Sequence, residues 1–267
     1  MKSISLVIPV YNEHAEARRV VKRALAAIKP FGEGSEAIIV EDGSRDDTGS
    51  ILVQTTRELN NDKVRLIQHP VNMGYGAALK TGIAAARNDW IAIADADGTY
   101  PMDVLPKLMT AIDDGAHMAV GARPIAQQPS VRRPAKVFLN AFASYLAGLD
   151  IRDINSGLRI FPRKTAMRYR QVLPNAFSFT STITMLMAGD GRRIEYYPIK
   201  YGKRTGRSKI RPVRDTAGFL LLISRMAIAY NPLKVFGPVS AVLLGTGAIL
   251  LILRLFMAEE PIGLATT

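Results

Sequence analysis

The chain has 267 residues, which is long enough for one large domain with a full core and an appended segment. Lys and Arg number 35 against 23 Asp and Glu, so we expect an anionic partner: a nucleic acid, a phosphorylated substrate or an anionic lipid. The absence of cysteine excludes a disulfide framework and any thiolate metal site. A strand pattern begins at Ile4, which leaves no room for a signal peptide before it.

The N-terminal part of the chain alternates between two hydrophobic patterns. Short apolar runs predict strands at residues 4–10, 37–40, 64–68 and 90–94. Apolar residues at helical spacing predict helices at about residues 15–28, 47–59 and 77–87. Strands that alternate with helices form right-handed βαβ units. We therefore predict an open, mostly parallel α/β sheet flanked by helices.

Polar residues and glycines follow each of these four strands. In an open α/β sheet, ligands bind in the crevice outside the carboxyl ends of the strands. Hits after four successive strands predict a nucleotide-type site at that edge. In chain order the residues are Tyr11, Glu13, Asp42, Gly74, Gly76, Asp95 and Asp97.

Asp95 and Asp97 are two residues apart at the end of an apolar run. On an extended chain their side chains project to the same side, so both carboxylates reach one site. Two anions held this close repel each other unless a cation lies between them. Hard oxygen ligands suit Mg²⁺ or Mn²⁺, and the pair is a candidate site for either. The alternative is a solvated Asp-rich turn.

The stretch Gly74-Tyr-Gly76 fits neither the dinucleotide spacing nor the Walker lysine motif. A glycine pair ahead of a helix is often only a turn. The N-terminus of the following helix would, however, direct N–H groups and a positive dipole end toward the crevice, which suits an anion.

Several stretches, in this order and spacing, resemble the family 2 glycosyltransferases. They are Val-Ile-Pro-Val-Tyr-Asn-Glu at 7–13, Val-Glu-Asp-Gly-Ser-Arg-Asp-Asp-Thr at 40–48, Asn-Met-Gly-Tyr-Gly-Ala-Ala at 72–78 and Asp-Ala-Asp at 95–97. Later stretches, at 121–123, 153–161 and 204–209, resemble the branch of dolichol-phosphate mannose synthases and bacterial polyprenyl-phosphate glycosyltransferases. The resemblance covers about residues 4–209 and implies the GT-A type of nucleotide-sugar-binding fold.

The same resemblance implies roles for individual residues. The nucleoside would be held by Pro9, Tyr11, Glu13 and Asp42, with Asp42 toward the base. The diphosphate and the metal would be held by Asp95, Ala96 and Asp97. Further donor-site residues would be Gly74, Gly76 and Lys209. The phosphates of donor and acceptor would face arginines that, with Asp97, form the predicted catalytic set: Arg123, Arg132 or Arg133, and Arg204.

The implied reaction is inverting transfer of a hexose-type sugar from a UDP- or GDP-linked donor to a polyprenyl or dolichyl phosphate. A nucleoside diphosphate leaves when its growing charge is neutralised, which a divalent ion and an arginine accomplish. A hydroxyl acceptor would need a general base, whereas a phosphate monoester with a second pKa of about 6 is already mostly dianionic at pH 7. The basic run 192–214, with Glu195 as its one acid, is either the cationic surface that positions such a phosphate or a solvated face.

Two departures from the family leave the sugar undetermined. Some relatives carry a Glu where residues 177–184 offer hydroxyls, and Asp97-Gly98-Thr99 differs from the Asp-Leu-Gln associated with mannose synthases. The nucleotide base and the lipid length are equally open.

The C-terminal part predicts membrane association. Residues 235–253 contain no charge and are long enough to cross a bilayer of ~30 Å. Basic residues precede this run and Glu259 and Glu260 follow it, so the positive-inside rule places the catalytic domain in the cytoplasm, at the cell membrane. We predict a catalytic domain at 1–210, an interfacial amphipathic region at 211–232, a transmembrane helix at 233–257, and a tail at 258–267 that relatives often extend into a second span.

Other functions stay open. A nucleic-acid binder is disfavoured, because no recognition helix or aromatic platform accompanies the charge. A non-catalytic nucleotide-sugar sensor should lack a metal carboxylate or the acceptor arginines, and a processive synthase should carry a further Asp pair and an aromatic channel motif. Transfer to another acceptor, and self-association into a homo-oligomer, are left undecided.

Overall fold

A computed structural model describes residues 1–124, 133–202, 228 and 232–257. Its strands are β1 (Ile4–Val10), β2 (Glu36–Glu41), β3 (Val64–Gln68), β4 (Trp90–Ile93), β5 (Met118–Ala122), β6 (Arg159–Pro162) and β7 (Ile194–Pro198). Its helices are α1 (His14–Ile28), α2 (Thr48–Leu59), α3 (Tyr75–Ala85), α4 (Leu105–Asp113), α5 (Arg133–Ala147), α6 (Arg163–Arg168), α7 (Phe179–Gly189) and α8 (Pro232–Met257), with a short 3₁₀ turn at Met102–Val104.

The seven strands form one sheet in the order β3-β2-β1-β4-β6-β5-β7. All neighbouring pairs run parallel except those that involve β6, which is antiparallel to both β4 and β5. The predicted open, mostly parallel sheet is confirmed. Because β6 is reversed, its first residue, Arg159, lies opposite Ile93 and Val120, at the edge where β4 and β5 end.

Two apolar clusters cover the two faces of the sheet. In β1, Leu6 and Ile8 point to one face and Val7 to the other, as the period of two requires. The first face is packed by α1, α2 and α4, and the second by α3, α5 and α7. Full burial of a Leu or Ile side chain contributes about 1.5–3 kcal/mol. The burial on both faces explains why these strands appear as continuous apolar runs.

The predicted bounds of the first three helices agree with those of α1, α2 and α3 to within about two residues. One of the differences affects the site. α3 begins at Tyr75 rather than at residue 77. Gly74 precedes it with a φ of 101°, in the left-handed region that favours glycine. Gly76 is therefore in the first turn of α3, not in the loop before it.

α8 coincides with the predicted transmembrane segment. Its stretch Phe236–Phe256 has a mean hydropathy of 2.2, and none of it is buried against the protein. It is the one helix in the described part of the chain that is long and apolar enough to cross a membrane. The predicted limits between domains stay predictions, because residues 203–227, 229–231 and 258–267 lie outside the described residues.

Candidate active site

The carboxyl ends of β1, β2 and β4 meet at one edge of the sheet, because these strands are parallel neighbours. The amide of Asp42 donates to the carbonyl of Val10 at 2.8 Å, and the amide of Ala94 donates to that of Val7 at 3.3 Å. The loops after the three strands therefore start side by side. This edge contains the predicted site residues that follow β1, β2 and β4.

The Asp95 carboxylate has two close neighbours that fix its position. The hydroxyl of Tyr75, at the start of α3, donates to its Oδ1 at 2.8 Å. Burial, followed by the negative charge of Asp95, raises the pKa of that hydroxyl well above its usual value, so it remains a donor. Gly157 lies directly against the same carboxylate, where a Cβ atom would come within 2.5 Å of Oδ1.

The Asp97 carboxylate is buried and held by its own loop. Its Oδ1 accepts hydrogen bonds from the hydroxyl of Thr99 at 2.7 Å and from the amide of Thr99 at 3.2 Å. Gly98, with a φ of 80°, makes this tight turn. Ala96, between the two aspartates, is buried.

The donor chemistry of the two carboxylates fits a hard divalent cation. Mg²⁺ is typically bound by one or two carboxylates together with substrate phosphates, and both aspartates come from one short loop. Among the described residues no group of three or more His, Cys, Asp and Glu could hold a metal. The assignment of Asp95 and Asp97 as metal ligands stays a prediction.

Asp42 is buried and organises the loop that leads into α3. Its carboxylate accepts hydrogen bonds from the ring of His69 at 2.7 Å, the amide side chain of Asn72 at 3.0 Å, and the backbone amides of Met73 at 3.0 Å and Gly74 at 2.9 Å. The carboxylate thereby supports the side of the crevice that is predicted to receive the nucleoside. Its predicted contact with the base stays a prediction.

The turn after β1 is fastened to the loop after β2. The amide of Asn12 donates to the hydroxyl of Ser44 at 2.9 Å, and the amide of Glu13 donates to that of Thr48 at 2.9 Å. Tyr11 and Glu13 are half-buried, and Pro9 is buried within β1. The predicted nucleoside residues thus share one rigid corner of the crevice.

The two glycines before and within α3 allow close packing of another loop. The amides of Gly76 and Ala77 donate to the carbonyl of Asn175, at 2.8 and 3.2 Å. A Cβ atom at Gly74 would collide with the carbonyl oxygen of Asn175, and one at Gly76 with that of Pro174. The N–H groups expected to face an anion are bonded to protein here, and donor binding by these glycines stays a prediction.

Arg123 forms a buried, two-pronged ion pair with Asp153. Its Nε donates to Oδ2 at 2.7 Å and its Nη2 to Oδ1 at 2.9 Å. The rings of Tyr100 and Tyr201 lie 5.8 and 5.4 Å from the guanidinium carbon. Burial by itself would lower the pKa of Arg123, but Tyr100 and Asp153 raise it well above its usual value. This arginine is a fixed cation of the site, oriented by Asp153.

The other predicted cations are only partly covered by the structure. Arg133 is exposed at the first residue of α5. Arg132, Arg204 and Lys209 lie outside the described residues. Gly202 is the last described residue before Arg204 and Lys209. Its amide donates to the carbonyl of Thr99 at 2.8 Å, beside the Asp97 turn.

Sequence reasoning missed Tyr75, Tyr100, Asp153 and Gly157 as parts of the site. Tyr75 lies between the two glycines that were singled out, and Tyr100 closes the Asp-rich turn. Tyr100 accepts a hydrogen bond from the amide of Gly157 at 2.8 Å. The reversal of β6 brings the loop before it to this edge, and no local pattern in the sequence predicted that reversal.

An open α/β sheet with a carboxylate pair at the carboxyl end of a central strand is the arrangement expected of an α/β enzyme that binds its ligand at that edge. Residues 5–187 match the glycosyl transferase family 2, and the chain belongs to this family. It is a glycosyltransferase, and the family predicted from its motifs is confirmed.

Its relatives include undecaprenyl-phosphate 4-deoxy-4-formamido-L-arabinose transferases. The one from Shewanella sediminis is 26% identical over 269 residues, which cover 96% of this chain and 77% of that protein. The one from Edwardsiella ictaluri is 28% identical over 259 residues, or 94% and 76% of the two chains. These relatives belong to the polyprenyl-phosphate branch that the later motifs resembled.

Among solved structures, the fold is similar to glucosyl-3-phosphoglycerate synthase from Mycobacterium tuberculosis. One of its crystal structures, in complex with Mn²⁺, UDP-glucose and phosphoglyceric acid, superposes with a TM-score of 0.63 at 20% identity. The match covers 85% of this chain and 80% of that one. At this identity the likeness establishes the GT-A type fold alone.

Proposed function

We propose that this protein transfers a sugar from a nucleotide sugar to a polyprenyl phosphate at the membrane surface, with inversion and with the help of Mg²⁺ or Mn²⁺. The observation that carries the proposal is the pairing of two features in one chain. Asp95 and Asp97 stand at the crevice edge of a family 2 domain, and α8 is an exposed apolar helix of membrane-spanning length.

The donor side rests on the carboxylate pair. A divalent cation held by Asp95 and Asp97 would neutralise the diphosphate as it leaves. Tyr75 and Gly157 orient Asp95, and Thr99 orients Asp97, so the pair is arranged before a ligand arrives. The corner formed by Tyr11, Glu13 and the loops they contact would receive the nucleoside, with Asp42 behind it. The Mn²⁺ and UDP-glucose complexes of the mycobacterial synthase support this arrangement by analogy.

The acceptor side rests on fixed cations. A lipid phosphate bound beside a diphosphate brings two anions together, so the protein must supply positive charge. Arg123 is held rigidly at the crevice, and Arg133 is exposed at the start of α5. Arg132, Arg204 and Lys209 would add to them. The acceptor class is supported by the names of the relatives, which transfer a sugar to undecaprenyl phosphate.

The contact between α5 and α8 supports an active site at the bilayer surface. The hydroxyl of Tyr145 donates to the carbonyl of Lys234 at 3.1 Å, and Nζ of Lys234 donates to the carbonyl of Tyr145 at 3.0 Å. Val137 and Phe138 are exposed on the same helix α5, although its other face packs in the core. If α8 spans the membrane, α5 lies at the level of the lipid headgroups, where exposed apolar and aromatic side chains are stabilised.

The charge distribution supports a cytoplasmic catalytic domain. Basic residues dominate the chain before α8, and acidic residues follow it. Nucleotide sugars and the phosphate of the lipid carrier would then meet on the inner face of the cell membrane.

The test is an assay on membranes that contain the full chain. They are incubated with a panel of radiolabelled UDP- and GDP-linked sugars, with and without polyprenyl phosphate. We expect label in the lipid fraction for one donor, only when polyprenyl phosphate and a divalent cation are present. Label that appears instead on a water-soluble phosphate acceptor, or no label with any donor, contradicts the proposal.

A further inference from the structure

Arg159 is a fully buried cation at the first residue of β6. The acceptors of its guanidinium among the described residues are neutral, and they include the sulfur of Met118, 3.9 Å from Nη1. Nε donates to the carbonyl of Ser156 at 3.0 Å, and Nη1 donates to the carbonyl of Thr180 at 3.0 Å and the hydroxyl of Thr184 at 2.7 Å. Nη2 donates to the carbonyls of Ile154, at 3.3 Å, and Ser156. Within the described parts of the chain no carboxylate forms an ion pair with it.

A buried charge without a counterion is costly, and an apolar side chain of similar size often serves stability as well or better. Burial lowers the pKa of Arg159, yet a guanidinium stays protonated in proteins. The hydrogen bonds to α7 and to the loop of residues 153–157 offset part of this cost. The bonds to the loop also fix its backbone, because the acceptors there are the two carbonyls on either side of Asn155.

The loop of residues 153–157 is the link between Arg159 and the reacting groups. At one end Asp153 forms the two-pronged pair with Arg123. At the other end Gly157 lies against the carboxylate of Asp95, and its amide donates to the hydroxyl of Tyr100 at 2.8 Å. Both the predicted phosphate-binding arginine and a predicted metal ligand are thus placed by a loop that Arg159 ties to α7.

We infer that Arg159 is a positioning residue for the metal and diphosphate site, acting through the loop of residues 153–157 on Asp95 and Arg123. This inference rests on the proposed function, since it concerns the same cation site. The charge of Arg159 adds to the role. Arg159 lies opposite Ile93 in the register of β6 and β4, two residues before Asp95, so its buried positive charge is near the end of β4, where a diphosphate would accumulate negative charge.

The experiment compares three full-length variants in detergent: Arg159→Met, Arg159→Lys and the control Arg163→Met. Arg163 is a partly buried arginine that, like Arg159, donates to backbone carbonyls, those of Ile83 and Ala84, both at 3.0 Å. It lies beyond the opposite end of β6. Binding of Mn²⁺ in the presence of UDP or of GDP is measured by electron paramagnetic resonance. The kcat and KM values for transfer are measured beside it, with thermal unfolding as the check on folding.

We expect Arg159→Met to weaken Mn²⁺ binding by roughly 10- to 100-fold and to lower kcat more than it raises the donor KM, as loss of a ligand-orienting partner does. Arg159→Lys keeps the charge but has fewer donors, so its loss should be intermediate, and Arg163→Met should bind Mn²⁺ as the wild type does. If Arg159→Met does not fold, Arg159→Lys decides the matter by the same readouts. Unchanged Mn²⁺ binding in a folded Arg159 variant, or an equal loss in Arg163→Met, overturns the inference. Failure of the wild type to bind Mn²⁺ with either nucleotide overturns the proposed function itself, and the inference with it.

Discussion

The carboxylate of Asp95 rests against the backbone of Gly157, which is 62 positions later in the sequence. A Cβ atom at position 157 would be 2.5 Å from both Oδ1 and the carboxyl carbon of Asp95. Real side chains do not tolerate such distances, so any other residue at position 157 would displace the carboxylate.

Gly157→Ala should therefore lower transfer activity by about tenfold or more, because the displaced Asp95 loses its metal geometry and its bond from Tyr75. The Mn²⁺ concentration for half-maximal activity should rise in parallel. Gly245→Ala is the control, since a Cβ atom there, on α8, meets nothing within 4 Å. Full activity of Gly157→Ala would show that this contact does not matter for the reaction.

Metal dependence is the second prediction. Chelation with EDTA should abolish transfer and added Mg²⁺ or Mn²⁺ should restore it, because the leaving diphosphate needs a neutralising cation. Asp97→Ala should lose several kcal/mol of transition-state stabilisation, measured from kcat/KM. The exposed Asp103, in the adjacent 3₁₀ turn, provides a control through Asp103→Ala, which should remain active. Activity that survives exhaustive chelation would refute the assignment.

Membrane attachment is the third prediction. The full chain should sediment with membranes and remain there in high salt, because a spanning helix is not held by charges that salt screens. Detergent should release it. No part of Phe236–Phe256 is buried against the protein, so the helix is available to the bilayer. The measurement is the distribution of the protein between pellet and supernatant after each wash. Release by salt alone would mean that α8 does not span the bilayer.

The pair of Arg123 and Asp153 gives a prediction about stability. Asp153 is fully buried, so Arg123→Ala removes the two-pronged partner of a buried carboxylate and should cost about 3–5 kcal/mol of unfolding free energy. Arg152 and Asp150 form an ion pair with nearly the same Nε–Oδ2 distance, 2.8 Å against 2.7 Å, but both side chains are exposed. Arg152→Ala should therefore leave the unfolding midpoint unchanged. Both variants are compared by thermal unfolding. Equal, small shifts for the two would contradict the burial of Asp153.

The last prediction separates donor from acceptor. Arg132→Ala and Arg133→Ala should leave the affinity for nucleotide sugar within a few-fold while transfer to polyprenyl phosphate falls steeply, because a guanidinium fork suits a phosphate on the acceptor side. Asp42→Ala should weaken donor binding, since the loop from His69 to Gly74 loses its organising carboxylate. Calorimetric donor affinity is measured beside transfer. A parallel loss of both in the Arg variants would assign these arginines to the diphosphate instead.

Local patterns in the sequence were enough for the first four strands and for the family. The apolar runs of β1, β2 and β4 are buried on both faces, and the polar residues after them meet at one edge because parallel strands end together. Asp95 and Asp97 could be recognised as a pair because their spacing matches the period of an extended chain. The apolar helix α8 could be recognised from its length and lack of charge.

The tertiary structure decided what holds those residues in place. β6 is short, begins with a charged residue and runs antiparallel to its neighbours, so no periodic pattern in the sequence predicted it. The loop before β6 makes the contacts of Gly157 with Asp95 and of Asp153 with Arg123. The same holds for Gly74 and Gly76, where an added Cβ atom would collide with a loop about a hundred residues later, and for the amide of Gly76, which donates to Asn175 in that loop. The sequence by itself determined the family and the candidate groups for the chemistry, because both depend on residue type and local spacing. The neighbours that orient these groups come from distant segments of the chain. Their contacts form only when the sheet is assembled with the antiparallel strand β6 between β4 and β5.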